Sequence, residues 1–369
     1  MIDMRSVNAT ILISAILISV LGILSIYSST YQKEAQDWPT YERQIFWVIL
    51  GLVFFLVMAN LHYRRFWDAA YFLYALALIL LFLVFVMGAV RLGAQRWLRL
   101  AWFNFQPSEI AKLIMVIFLA KYFSRKSVDN VSSLVNKSGI LRSLVLPLIF
   151  MLVPACLIIE QPDLGTGAMI MAIFMAILYL SGVRLRQIAL FLGSIILLMP
   201  VGWHFIRDYQ RERLLVFLNP NIDPLGAGYT VIQSKIAIGS GGFLGKGWLS
   251  GTQSQLRFLP EAHTDFIFAT FAEQWGLLGS LLLLLLYYLL ISQGITIGMK
   301  THDNFGRLLS FGISAMLAIQ VCINIAMNLG LAPVVGLPLP LMSYGGSSVI
   351  TTFIALGILV NINKTRGVF

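Results

Sequence analysis

Runs of about 20 uncharged, predominantly apolar residues recur along almost the whole chain, each long enough to cross the hydrocarbon core of a bilayer as a helix. They are centred near residues 18, 52, 79, 115, 151, 174, 196, 279, 320 and 354. In lipid a segment must satisfy its own backbone N–H and C=O groups, so runs of this kind fold as helices. The expectation is an all-α, polytopic membrane protein of about ten transmembrane helices, with residues 1–369 forming a single integral membrane domain. At 59% hydrophobic and 11% charged residues, no stretch is polar enough for a separate soluble domain of ordinary size. The fourth run carries Glu109 and Lys112 in its first turns. The last two share one uncharged tract, 308–363, divided by Pro333, Pro338 and Pro340.

The first apolar run outlasts a secretion signal's hydrophobic region and lacks a clear small-x-small cleavage site, so it reads as a retained span. Cys156 and Cys322 both fall inside expected helices, which excludes a disulfide framework or a thiolate metal site. A net charge of +10 suits nucleic acid only when the basic residues share one soluble face; here they are scattered between spans, and no nucleic-acid partner is expected. Their distribution reports orientation instead. With the N-terminus inside, Arg64, Arg65, Lys121, Arg125, Lys126, Arg184 and Arg186 all collect on the cytoplasmic side. One outer connection departs from this, with Arg91, Arg96 and Arg99 between spans three and four; a functional role, or an interfacial helix carrying Trp97 and Trp102, accounts for them.

The longest connection, residues 207–264, lies on the outer side between spans seven and eight. Tyr209, Phe217, Tyr229, Phe243, Trp248 and Phe258 recur through it, which predicts a packed or membrane-lying platform. Within it GSGGFLGKG, residues 239–247, invites a nucleotide-loop reading and fails it. The Walker pattern needs Ser or Thr after the lysine and a preceding strand, and here Gly247 follows Lys246.

Four polar clusters map to the same side. In QPSEIAK, residues 106–112, Glu109 and Lys112 share a helix face, as an intrahelical ion pair or a cavity lining. IIEQPDLGTG, residues 158–167, places Glu160 and Asp163 in a very short turn, solvated or cavity-lining. PLPLMSYGGSS, residues 338–348, breaks a helix at membrane depth, which is tolerated only under protein or water; close helix packing through Gly345 and Gly346 is the alternative. In LPEAHTDFIF, residues 259–268, Glu261, His263 and Asp265 alternate on the approach to span eight. Thr264 is the expected N-cap and Asp265 the first-turn carboxylate, with Glu273 two turns deeper. Metal binding by His263 and Asp265 lacks a defined third ligand, so any metal set stays unknown.

GAQRW (93–97), FQPSEIAK (105–112), QPDLGT (161–166), DPLGAGY (223–229), QSKIAIGSGG (233–242), GTQSQLRFLPEAHTDFIF (251–268) and PLPLMSYGGSS together resemble the SEDS family, the shape, elongation, division and sporulation proteins, in its elongation branch. The resemblance implies a ten-helix peptidoglycan glycosyltransferase of the bacterial inner (cytoplasmic) membrane, with both termini cytoplasmic, that polymerises lipid II into nascent glycan on the periplasmic side. It also implies a class B penicillin-binding protein as partner within the elongation machinery. The family's catalytic aspartate falls on Asp265.

That role fits the chemistry. An inverting displacement of a polyprenyl diphosphate from a sugar needs a base on the attacking hydroxyl, and one carboxylate suffices. The leaving group needs positive charge, with Lys112, Arg43, Arg96, Arg211 and Arg213 as candidates, or a divalent cation, magnesium or manganese. Glu109, Lys112, Asp163, Glu261 and His263 are expected around the same cavity. Lys112 and the helix N-terminus are expected to keep Asp265 ionised against burial. A lipid II flippase, or a non-catalytic scaffold for the penicillin-binding protein, are the rival readings.

Overall fold

The computed structural model describes residues 4–31, 38–91, 94–100, 103–124, 145–183, 185–190, 193, 197, 208–224, 226–256 and 258–365. The expected spans near 18, 52, 79, 115, 151 and 174 fall on α1 (Met4–Thr30), α2 (Thr40–Asn60), α3 (Arg64–Met87), α4 (Pro107–Ser124), α5 (Leu146–Glu160) and α6 (Leu164–Leu180). The span expected near 196 lies in a stretch of which only 193 and 197 are described, and Trp102, Arg125, Lys126 and Arg184 also lie outside the described residues. After α7 (Asp208–Leu218), a 3-10 turn (Pro220–Ile222), α8 (Ala227–Gly241) and α9 (Thr252–Gln255) come three long helices. These are α10 (Ile267–Lys300), α11 (Asn304–Asn328) and α12 (Gly346–Thr365).

Among the described residues, α1, α2, α3, α10, α11 and α12 are long and apolar enough to cross a membrane. α5 and α6 are apolar but shorter, at 15 and 17 residues. The bundle is a polytopic, predominantly helical membrane fold. α12 lies along α2, α10 lies against α11 and α1, and α4 is enclosed by α3, α6 and α11. Enclosure explains why α4 tolerates charge: almost every position on it is buried, Glu109 and Lys112 included. On α3 and α10, by contrast, Phe72, Phe82, Leu281 and Leu282 face outward, as a lipid-facing surface requires. Cys156 and Cys322 are free and exposed on helices.

The connection between α3 and α4 is a small antiparallel sheet in the order β1 (Ala89–Arg91), β2 (Ala94–Leu100), β3 (Phe103–Phe105), and so not an interfacial helix. A helix would put Arg96 and Arg99 on one face. The strand's two-residue period separates them instead, leaving Arg99 exposed and turning Arg96 toward the bundle.

Of the aromatic residues in the 207–264 connection, Phe217 and Tyr229 are half-buried while Phe243, Trp248 and Phe258 are exposed, and the glycine run has a structural purpose. α10 is broken at Gly276 (φ 64°, ψ −160°), a conformation essentially reserved for glycine. In an unbroken helix the Leu277 and Leu278 amides would donate to the Glu273 and Gln274 carbonyls. Here they donate to the Gly242 and Phe243 carbonyls, at 3.0 and 3.2 Å, while the Lys246 and Gly247 amides take the two vacated carbonyls, both at 3.0 Å. The 242–247 segment is thus spliced into the helix with no backbone bond lost at those four positions. A Cβ on Gly276 would lie 2.3 Å from the Gly245 nitrogen, so the splice needs glycine on both sides. Buried Glu273 locks it, accepting from Lys246 Nζ (2.8 Å), Thr252 Oγ1 (3.0 Å) and the Gln253 amide (3.1 Å).

Gly276→Ala is therefore expected to destabilise the protein by about 3 kcal/mol or more, from backbone strain plus the clash. Gly239→Ala, where a Cβ meets nothing within 4 Å, should be neutral or slightly stabilising. Thermal midpoints of the two variants in detergent test the contrast.

Candidate active site

Asp265 lies just ahead of α10, in a turn and not in the first helical turn: the helix begins at Ile267, with Phe266 at the cap position. Glu261 adopts a left-handed conformation (φ 49°), and its carbonyl accepts from the Thr264 and Phe266 amides. Thr264 is thereby spent inside the turn, its hydroxyl bonded to Glu261 Oε2 at 3.0 Å, and it does not cap α10. The cap comes from another helix, because Asn328 Oδ1 on α11 accepts from the Ala269 amide at 3.2 Å.

Three consecutive carbonyls of this turn are each held from elsewhere. The Tyr344 amide donates to the His263 carbonyl at 2.9 Å. Ser343 Oγ donates to that of Thr264 at 2.6 Å. Asn324 and Asn328 both donate to that of Asp265, at 3.1 and 3.0 Å. Ser343 and Tyr344 belong to the break before α12, where Leu337, Leu339, Leu341 and Met342 are fully buried. Non-helical backbone at that depth needs partners. Gln320 donates to the Pro338 carbonyl (2.8 Å), Asn324 to Leu337 (2.7 Å), Tyr287 to Pro340 (2.7 Å) and Gln44 to Ser343 (3.1 Å). Of the glycines in this motif, Gly346 serves close packing, since a Cβ there would meet the Trp47 ring at 2.6 Å.

The Asp265 carboxyl is pushed up to about 6, first by burial and then by the negative charge of Glu261 and, less, Asp163; Arg96 and Arg213 pull it down. Lys112 is not among the opposing cations, contrary to expectation. It is sealed inside α4's surroundings, 1% exposed, paired to Glu109 at 2.7 Å and donating to Gln320 Oε1 at 3.1 Å. Gly336 floors the space between Asp265 and Arg96. A Cβ on it would sit 3.4 Å from Asp265 Oδ2 and 3.6 Å from Arg96 Nη1, so the missing side chain leaves room between carboxylate and guanidinium.

The other expected residues divide. Asp163 caps α6 and is buried. Its oxygens accept from the Thr166 amide and hydroxyl, Ser108 and Gln106, and Arg96 stands 3.9 Å away while also donating to the Pro162 carbonyl. Glu261 is exposed at the rim, and the His263 ring lies against Tyr344, with centroids 5.8 Å apart. Arg213 donates to the Val334 carbonyl at 3.2 Å and borders a small cleft, about 20 Å³, lined by Val216, Phe217, Val231, Ala332 and Pro333. Arg211, two residues earlier on α7, is not among the groups that set the charge at Asp265. Arg43 sits at the start of α2, over the Trp38 ring at 5.5 Å. Among the described residues no three His, Cys, Asp or Glu side chains converge on a metal position.

Gln320, Asn324 and Asn328 join the site without belonging to any of the four polar clusters. Their signal is spacing: three amides at i, i+4 and i+8 in an otherwise apolar helix share one face.

Comparison with known proteins places this geometry. The family profile described as "Cell cycle protein", which groups FtsW, RodA and SpoVE, matches residues 8–367. The peptidoglycan glycosyltransferase MrdB of Escherichia coli K12 is 44% identical over 365 residues, covering 99% of this chain and 95% of its own. The peptidoglycan glycosyltransferase RodA of Treponema pallidum is 30% identical, covering 96% of this chain and 97% of its own. A solved chain from a peptidoglycan synthase complex that coordinates polymerization and crosslinking superposes with a TM-score of 0.80 at 34% identity, over 96% of this chain and 97% of that one. Thermus thermophilus rod shape determining protein RodA superposes at 0.69 with 28% identity, over 96% of both chains. With its polar turn held over a buried helix break, and matched over nearly its full length, the chain belongs to the SEDS family of FtsW/RodA/SpoVE cell cycle proteins.

Proposed function

We propose that the protein is a peptidoglycan glycosyltransferase that polymerises lipid II, with Asp265 as the general base. The observation that carries this reading is the Asp265 carboxylate facing Arg96 across the space over Gly336, with Arg213 as the second nearby cation. Asp265 accepts the proton of the acceptor's 4-hydroxyl while that oxygen bonds to the donor's anomeric carbon from the face opposite the diphosphate. The bond from that carbon to the diphosphate oxygen breaks with inversion, and the polyprenyl diphosphate leaves with the electron pair. Asp265 then returns its proton to water.

Diphosphate departure needs fixed positive charge, which Arg96 and Arg213 supply. Arg96 is oriented for this by the Asp163 carboxylate and the Pro162 carbonyl, Arg213 by Val334. Lys112, buried and paired, acts within α4 and not on the leaving group. The oxygens of Asp163 are already occupied by protein donors and, among the described residues, no three His, Cys, Asp or Glu side chains converge, so these side chains as placed do not form a ready ligand set for magnesium or manganese.

The reading places the chain in the bacterial inner membrane, both termini cytoplasmic, with the Asp265 site and residues 207–264 periplasmic. Basic pairs such as Arg64 and Arg65 support that orientation. A class B penicillin-binding protein of the elongation machinery is the proposed partner, and the likeness to a synthase complex that couples polymerization to crosslinking supports it.

Asp265→Asn and Asp265→Ala should lower lipid II polymerisation by at least about 10²-fold while insertion into the membrane stays normal. Glycan-strand formation by the purified chain in proteoliposomes measures this, and wild-type synthesis by either variant refutes the base assignment. Because the base must be deprotonated, kcat/KM should fall tenfold per pH unit below about 6 and level off above it. Arg96→Ala or Arg213→Ala removes a cation that favours the carboxylate, so the acid limb should move to higher pH. The same variants should lose about 10²- to 10³-fold in kcat through the unassisted leaving group.

A further inference from the structure

The stripe of amides on α11 is fully enclosed, with Asn324 and Asn328 at 0% exposure and Gln320 at 3%. A buried carboxamide is costly unless its donors and acceptor are used, and these are used with unusual concentration. Asn324 Nδ2 bridges the Asp265 and Leu337 carbonyls, at 3.1 and 2.7 Å. Asn328 Nδ2 donates to the same Asp265 carbonyl at 3.0 Å and to the Asn324 carbonyl at 2.8 Å, while its oxygen takes the Ala269 amide. One backbone carbonyl therefore receives two side-chain donors from one helix, and it belongs to the residue whose carboxylate faces Arg96. The second contact of Asn324, on Leu337, fixes the residue next to Gly336, the floor of the same space.

We propose that Asn324 and Asn328 are positioning residues for the reaction: by holding the Asp265 carbonyl and the Gly336–Leu337 backbone on one rigid helix, they set the distance between the base and the Arg96 side of the cleft. This rests on Asp265 acting as the base. Neither asparagine touches the reacting atoms, and both are neutral. The charges facing Asp265 come from other elements: Glu261 in its own turn, Arg96 on β2, Arg213 on α7 and Asp163 ahead of α6. Loosening the clamp therefore changes the site by movement alone. Asp265 is half-buried, and a freed turn exposes its carboxyl further, so that relief of burial draws its titration back toward the ordinary carboxylate range.

The test is lipid II polymerisation by the full-length chain in proteoliposomes, from about pH 5 to about 8, for wild type, Asn324→Ala, Asn328→Ala, the double variant and Asp265→Asn. The expected result is a loss of roughly ten- to hundredfold in kcat for each asparagine variant, KM for lipid II within about twofold, and an acid limb displaced to lower pH. Asn328→Ala also removes the cap on α10. If it fails to fold, Asn324→Ala, which leaves that cap in place, decides the matter. A fall in kcat that tracks the folded fraction, with the limb still at about 6, would make the amides merely structural and overturn the proposal. So would wild-type kcat in both single variants alongside an inactive Asp265→Asn. Wild-type activity in Asp265→Asn would instead remove the base assignment and the positioning role with it.

Discussion

Irregular backbone inside an apolar bundle has no water to fall back on, and every carbonyl left there unpaired costs roughly 1–3 kcal/mol. The break between α11 and α12 meets that constraint with four side chains from three helices: Gln44 on α2, Tyr287 on α10, and Gln320 and Asn324 on α11. Ser343 and Tyr344, anchored in this way, in turn hold the turn that presents Asp265. The acid is thus placed by a hierarchy in which helices pin a broken segment and the broken segment pins a turn. Its own loop contributes the left-handed bend at Glu261 and the bonds that Thr264 and Phe266 make back to it.

The electrostatics follow the same plan. Residues far apart in the chain, Arg96 on a short strand and Arg213 on a platform helix, meet at one carboxylate, while Asp163, tied to the cap of α6, holds the first guanidinium. The balance leaves Asp265 titrating near 6, so that it is ionised at neutral pH yet basic enough to accept a proton. A fully solvated aspartate would be a weaker base, and an unopposed buried one would stay protonated.

Much of this was legible beforehand, for physical reasons that differ by feature. Apolar runs announce helices because lipid permits little else, and the Glu109–Lys112 pair follows from spacing within one helix. What escaped depends on contacts between distant segments. Thr264 has the right residue type for an N-cap, but the turn at Glu261 uses it first and Asn328 caps the helix from outside. Lys112 is expected to face Asp265, yet its partners are Glu109 and, across the bundle, Gln320. Residues 94–100 read as an interfacial helix, whereas they form a strand that turns Arg96 and Arg99 to opposite faces. The glycine run at 239–247 looked like a phosphate loop in outline, and only the break at Gly276 shows what its free carbonyls and amides are for.

That break divides α10 mechanically and electrically. Since the peptide dipoles of 267–275 no longer run in line with those of 277–300, the acid beside the amino end of α10 senses a stub of about two turns and not a rod of nine. Residues 242–247 are bonded to both sides of the break, to the Glu273 and Gln274 carbonyls and to the Leu277 and Leu278 amides, while Asn328 and Ser28 tie the stub to the bundle, so the platform and the two halves of the helix are coupled at one joint.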